Sequence, residues 1–359
     1  MSHLSRLNEA LTAAGHDAVL LTSPVSQRWV SGFDYTDGYI FVTRAGAYLL
    51  ADFRYIEAAR EEAAPGLEVI MPAGGMLEEV LSLARRDGVC TIAYEDDTLS
   101  CAAFARIKAA LAGAEFVPAG SLINALREFK DEEELETIAR AQNIADAAFE
   151  HILRVMTPEM TEIEVALELE FFMRRNGAED VGFSTIAVSG TASSRPHGVP
   201  RPVKLERGFL TMDYGAKVDG YTSDMTRTVV IGRADAEMKQ LYATVLAAQT
   251  AALDMLAEGA SCRALDLAAR EIIDAVPAYR GAFGHGLGHG VGMYIHEAPR
   301  LSRVAPEGAV LKRGHVVTVE PGIYLEGRYG CRIEDMVAIT PDGSVRNFAH
   351  SPKEMIELF

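Results

Sequence analysis

Apolar residues recur along this chain with two different periods. In the first 115 or so residues, short β-rich runs at 17–22 (DAVLLT), 39–43 (YIFVT) and 47–52 (AYLLAD) read as strands. They are interleaved with FRYIEAAREEAA and FARIKAALAGA, which carry helical spacing. The alternation predicts an α/β domain over residues 1–126. After PAGSLINALREFK the period lengthens: Ile138, Ala141, Ala145, Ala148, Phe149 and Ile152 fall at three- and four-residue steps. They form the apolar face of a helix opened by the capping-box pair Asp131 and Glu134. A second helix follows, with Thr161 and Glu164 at its start and Arg174, Arg175 and Gly177 at its end. A strand-rich stretch then runs to Gly232, followed by helices over 234–257 and 261–276 and more strands to the end. A helix pair followed by strands thus occurs twice within 127–359, the first helices starting at Asp131 and Ala234. That spacing predicts an internal duplication, since a solenoid would repeat every 20 to 50 residues or so.

Composition narrows the class. A chain of 359 residues, 49% hydrophobic and 24% charged, is ordinary for a globular protein of about two domains. No apolar run approaches the roughly 18 residues of a membrane span, and MSHLSRLNEA has no apolar core of a secretory signal, so a cytoplasmic protein is expected. The net charge of −17 repels phosphate backbones and anionic lipid, so neither nucleic acid nor membrane is an expected partner. Cys90, Cys101, Cys262 and Cys331 form no CxxC pair and are expected to be reduced packing residues.

Candidate chemistry begins with acids. GFLTMDYGAKVDGYTSDMTRTVVIG has two strand-like arms around Lys217-Val218-Asp219-Gly220. A turn made of those four residues would set Asp213 opposite Asp224, with Cβ atoms roughly 5 Å apart on one face. A tighter Asp219-Gly220 turn would pair Asp213 with Thr226 instead. Like charges so placed destabilise a sheet unless they are solvated, take up a proton or share a cation. The second strand-rich stretch repeats the arrangement in RGHVVTVEPGIYLEGRYGCRIEDMVAIT, where Glu320 and Glu334 occupy the places of Asp213 and Asp224. A duplicated fold would bring both pairs to one centre, and four carboxylates match two divalent cations.

Between the two acid pairs lies AFGHGLGHGVGMYIHE. His285 and His289 are four apart, His296 follows, and glycines alternate from Gly284 to Gly292. So many glycines disfavour a helix; in a strand they leave one side bare for another backbone or a ligand. No GxGxxG register, Walker lysine or HExxH is present.

HGLGHGVGMYIHE, from His285 to Glu297, resembles the signature of proline peptidases and aminopeptidase P. MDYGAKVDGYTSDMTRT, VEPGIY and CRIED resemble the flanking metal motifs of that family, while WVSGF and LADFRYIEAA resemble parts of the creatinase-type N-terminal domain. The resemblance covers essentially the whole chain. It implies an α+β pita-bread catalytic domain behind an α/β N-terminal domain. It also implies Asp213, Asp224, His289, Glu320 and Glu334 as ligands of two divalent metal ions. Substrate and transition-state roles follow for His197 (in SRPHGVP), His285 and His296, and a homodimer in which the neighbour's N-terminal domain helps close the site. The full ligand set argues against creatinase, which works without metal, and the N-terminal extension argues against the shorter methionine aminopeptidases.

The chemistry is coherent with that resemblance. A bond to proline is a tertiary amide with no N–H, so peptidases that grip an extended backbone handle it poorly. A metal pair acidifies water and polarises the carbonyl instead. Glu320 is expected to shuttle the proton, and His296 and His197 to donate to the oxyanion and the substrate. Arg332 shares strand parity with Glu334 and is expected to orient it. Tyr324 is a further substrate-binding candidate. Carboxylate-rich ligation with one imidazole suits Mn first, and also Co, Fe or Zn. The expected activity is that of an Xaa-Pro aminopeptidase, acting on peptides with proline in second place. The alternative is an Xaa-Pro dipeptidase (prolidase), with Arg300 of HEAPR holding the dipeptide carboxylate as in prolidases of the short archaeal type. A pita-bread binding protein without activity is the remote alternative.

Overall fold

The computed structural model describes all 359 residues, which divide into two compact units, Met1–Arg127 and Glu128–Phe359. In the first unit six strands form one sheet, in the spatial order Glu68–Ile70, Ala47–Ala51, Gly38–Thr43, Ala18–Leu21, Thr91–Tyr94, Glu115–Pro118. Gly38–Thr43 runs antiparallel to both its neighbours, Ala18–Leu21 and Ala47–Ala51, and every other adjacent pair is parallel. Ala18, Val19, Leu20 and Leu21 are all buried, so this strand is covered on both faces, and the continuous apolar run AVLL is what such a position requires.

The second unit contains the duplication. Its first helix, Glu132–Val155, starts at a capping box between Asp131 and Glu134, and its second, Glu162–Arg175, at one between Thr161 and Glu164. The small residues Ala141, Ala145 and Ala148 let the first helix approach closely. Phe149 and Ile152 then pack with Val165, Leu169 and Met173 of the second helix and with Leu210, Met212 and Tyr214 of the sheet. The second pair, Ala236–Asp254 and Cys262–Asp274, packs in the same way with Val317, Val319, Val337 and Ile339. Positions 162–173 and 262–273 show the same order of buried, half-buried and exposed residues. The first pair of helices packs on a four-stranded sheet in the order Glu357–Leu358, which comes from the end of the chain, Met225–Ile231, Gly208–Tyr214, Ile186–Ser189. The second pair packs on a five-stranded sheet in the order Glu297–Leu301, Gly288–Gly290, Val316–Val319, Asp335–Ile339, Val345–Asn347, and Gly322–Leu325 and Tyr329–Arg332 pair separately. No helix is long and apolar enough to cross a membrane.

Two expectations are corrected here. The hairpin after Tyr214 closes through the two residues Asp219 and Gly220, at φ 46° and 85°, so Lys217 pairs with Thr222 and Asp213 with Thr226. Two consecutive left-handed residues make the turn whose twist matches antiparallel strands, and it wins over the four-residue turn that would have opposed Asp213 to Asp224. All four cysteines are free thiols, but only Cys262 and Cys331 are buried; Cys90 and Cys101 are exposed, because both lie at element ends on the surface of the first unit.

Candidate active site

Strand ends from both halves converge on one acidic cluster. Asp213 lies near the end of Gly208–Tyr214, and Asp224 immediately precedes Met225–Ile231. Thr226 being the partner of Asp213, Asp224 stands diagonally across on the same face. Glu320 and Glu334 lie where two ladders meet. Val319 pairs with Asp335 and Gly322 with Arg332, and the shared register sets the two glutamates opposite each other. Asp224 and Glu334 are buried, at 4% and 1% exposure.

His289 comes from the short strand Gly288–Gly290. A Cβ on Gly288 would sit 1.9 Å from the Thr318 carbonyl oxygen, and one on Gly290 2.1 Å from that of Ala298. The glycines thus admit neighbouring backbones on both sides of His289, a closer fit than one bare side. The ring's Nδ1 lies 3.1 Å from the Gly290 carbonyl oxygen, which accepts its N–H and leaves the Nε2 lone pair facing Glu320 Oε1 at 3.4 Å and Asp224 Oδ2 at 3.6 Å. The Thr318 hydroxyl accepts from the His289 N–H at 3.1 Å and donates to Glu320 Oε1 at 3.1 Å.

The electrostatics are those of a cluster short of positive charge. Burial pushes the carboxyls of Asp224 and Glu334 well above the ordinary carboxylate range, and the neighbouring acids push them further. Burial also raises Asp213, against the pull of Arg332, and takes Glu320 up to about 7. Burial holds the His289 ring down at about 3 and His285 at about 4, so both are neutral. Asp213 Oδ1 is buried without a hydrogen-bond partner. Donor atoms of Asp224, His289 and Glu334 lie within 4.8 Å of one another. An oxygen-rich set with one neutral imidazole and an orphaned carboxylate oxygen fits divalent cations.

Arg332 meets Glu334 through Thr226 rather than directly. Its guanidinium donates to Asp213 Oδ2 at 2.5 Å and to the Tyr324 hydroxyl at 2.7 Å, not to Glu334. Strand parity fixes which face Arg332 shares with Glu334; the partner that receives its fork comes from the other half. Glu334 is held by Thr226, whose hydroxyl donates to Oε2 at 2.6 Å and accepts from Arg332 Nε at 2.9 Å. Tyr324 lies 3.0 Å from His285 Nε2, continuing the chain of contacts. The sequence offered Thr226 only as a pairing partner of Asp213, not as a support of Glu334, and Thr318 not at all; their signal was position, in strand register with or two residues before an acid.

A cavity of about 630 Å³ opens onto this cluster. His197, His285, His296 and Arg300 line it with Asp213, Asp224, His289, Glu320, Arg332 and Glu334, whereas Tyr324 stands behind, reaching it through His285 and Arg332. The rings of His289 and His296 are 4.4 Å apart, and Arg300 is the strand partner of His289. Burial and the nearby positive charge of Arg300 lower the His296 pKa. Phe183, Ile186, Val199 and Ile295 give the cavity apolar wall.

Comparison with known proteins identifies the class to which this fold and acid cluster belong. Residues 136–341 match the profile of metallopeptidase family M24 and residues 3–129 that of the creatinase/prolidase N-terminal domain. The chain belongs to metallopeptidase family M24. It is 37% identical to the Xaa-Pro dipeptidase of Pyrococcus furiosus over 96% of each chain. Among solved structures, it is similar to the Xaa-Pro dipeptidase from Bacillus anthracis, with TM-score 0.93 and 40% identity over 99% of each chain. It is also similar to the X-Pro aminopeptidase from Thermotoga maritima, with TM-score 0.91 and 34% identity over 98% of this chain and all of that one. The pita-bread fold and the assignment as a metallopeptidase follow.

Proposed function

We propose that this metallopeptidase is an Xaa-Pro dipeptidase carrying two divalent cations, held by Asp213, Asp224, His289, Glu320 and Glu334. The observation that carries the dipeptidase reading is the register of Arg300 with His289. It puts a guanidinium fork on the cavity wall, one strand away from the acid cluster. A dipeptide ends in a carboxylate one residue beyond the scissile bond, and a bidentate guanidinium suits it. The dipeptidase relatives support the same choice.

Bound there, divalent cations supply Lewis acidity toward the scissile carbonyl and lower the pKa of water. The remaining work falls to side chains. Glu320, whose Oε1 accepts from the Thr318 hydroxyl and faces His289 Nε2, is placed to take a proton and return it to the leaving proline nitrogen. His296 and His197, both at the cavity surface, donate toward the substrate carbonyl, and His285 is steadied by Tyr324. Arg332 spans Asp213 and Thr226, so the acids of both halves keep their places when the cavity fills.

The test compares Ala-Pro with Ala-Pro-Ala and a longer Xaa-Pro peptide, in wild type and Arg300→Ala, with metal content measured. Losing a charge-assisted hydrogen bond of about 1.5–3 kcal/mol predicts a KM for Ala-Pro raised by roughly 10-fold or more. Strong cleavage of the longer peptides, unchanged by Arg300→Ala, would select the second reading, an Xaa-Pro aminopeptidase, which the Thermotoga maritima neighbour favours.

A further inference from the structure

Outside the acid cluster, two fully buried carboxylates stand on the second helix of each pair, Glu162 at its first residue and Asp266 one turn further along. Glu162 opens the helix Glu162–Arg175 at 0% exposure. It accepts from the Ser189 N–H at 2.7 Å and the Ser189 hydroxyl at 2.8 Å. It also accepts from Arg201, through the backbone N–H and Nε at 2.9 Å each and Nη2 at 2.6 Å. Ser189 ends a strand and Arg201 follows Pro200, so one carboxylate ties together both ends of the segment 190–200 that brings His197 to the cavity.

In the second half, Asp266 is likewise at 0% exposure and pairs with Arg270 one turn along the helix, at 2.6 Å. Asp266 Oδ1 accepts from the Leu287 N–H at 2.9 Å. Arg270 donates to the Phe283 carbonyl at 2.6 Å and to the carbonyl of His285 itself, and its guanidinium lies 4.2 Å from the centre of the Phe283 ring. The Leu287 carbonyl in turn accepts from the Glu320 N–H at 2.8 Å. The backbone is therefore fixed on both sides of His285 and, one hydrogen bond further, at Glu320.

A buried ion pair is a poor source of stability, because desolvation offsets most of its attraction. What such a pair offers is placement. Leu265, Ala269 and Ile273 lock the helix of Asp266 into the core, whereas the His285 segment lies outside any regular element. We propose that Glu162–Arg201 and Asp266–Arg270 are positioning pairs that hold His197 and His285 at their working places on the cavity wall. This rests on the reading of those histidines as groups that touch substrate.

The test is a double-mutant cycle on kcat/KM for Ala-Pro. Arg270→Lys keeps the charge beside Asp266 but cannot reach both carbonyls, and a displacement of about 1 Å at a reacting group costs up to ~100-fold. A loss of roughly 10- to 100-fold is therefore expected in the wild-type background. In the His285→Ala background it should shrink to a few-fold at most, what remains being the part carried to Glu320 through Leu287. Metal content and melting temperature of each variant are recorded alongside. Equal losses in both backgrounds, or a loss that follows metal content, would overturn the proposal. Full activity of His285→Ala alone would instead overturn the histidine's assigned role. Since Arg270→Lys puts a buried charge at risk, the cycle is repeated with Glu162→Gln against His197→Ala, with the same expectation and the same overturning results.

Discussion

Helices Glu162–Arg175 and Cys262–Asp274 bury the same positions a hundred residues apart, yet the strands behind them meet the demand for two acids differently. The first half uses aspartates set diagonally, because the Asp219-Gly220 turn pairs Asp213 with Thr226. The second uses longer glutamates set directly opposite each other, where two ladders join. The frame is held by packing, which tolerates little change; the acids need only bring oxygens to a common point, which side-chain length and register can share out. The cluster's balancing cation is also lent across the halves, since Arg332 of the second reaches Asp213 of the first. The site is thus a property of the junction, and neither half holds a complete one.

That contrast breaks most sharply at the acids. Asp224→Ala and Glu334→Ala, one from each half, are expected to abolish Ala-Pro hydrolysis equally. The loss should exceed the ~10- to 100-fold typical of residues behind a metal ligand and resist rescue by added Mn or Co. Chelation should do the same to wild type, and metal analysis of the three samples checks it. Survival of either variant would mean that the halves do not share a centre. Next in size, His296→Ala should lower kcat by about 100-fold with metal retained, as the loss of one transition-state donor does. His289→Ala should lose metal instead; the reverse pattern would exchange their roles.

A smaller effect sharpens the electrostatic side. In the chelated protein, burial keeps the carboxyls of Asp224, Glu320 and Glu334 above their unfolded values. The folded state therefore binds protons that the unfolded chain has released. That stability is fully present below about pH 4 and is lost as pH rises through the raised values, which for Glu320 lie at about 7. Stripped protein should melt higher at pH 5.5 than at pH 7.5, by at least roughly 2–4 °C, in a scan where the loaded protein shows no such gain. Stripped protein that gains stability with rising pH would contradict this account. Smallest are the helix caps. Thr161→Ala and Ser261→Ala each remove a side-chain acceptor, at about 1 kcal/mol in denaturant unfolding. Thr161 should cost more, because only it has a reciprocal glutamate, Glu164.

Much of this frame was legible because its signals are local. Capping boxes at Asp131 and Thr161, the stripe from Ile138 to Ile152 and the spacing of the acids each depend on neighbours a few residues away. The turn was legible only as one of two choices, since Asp219 had to adopt a left-handed conformation that few side chains accept. Contacts between the halves were not legible: parity gave the face of Arg332, but the sheet-to-sheet approach decided that Asp213 receives it. Glu162 and Asp266 did leave a trace, as charges on the buried stripes of Val165 and Leu169, and of Leu265 and Ala269. Their partners lie in loops whose course no period describes.

The crowding around His289 also bears on descent. A Cβ on Gly288 or Gly290 would meet a carbonyl oxygen at about two-thirds of the closest distance a Cβ accepts, whereas Gly284 has nothing within 4 Å. A lineage carrying this strand can drift at position 284, yet at 288 and 290 every single-nucleotide path out of glycine runs into backbone that no rotamer change can move aside. Two residues that carry no functional group therefore act as ratchets around the histidine they flank.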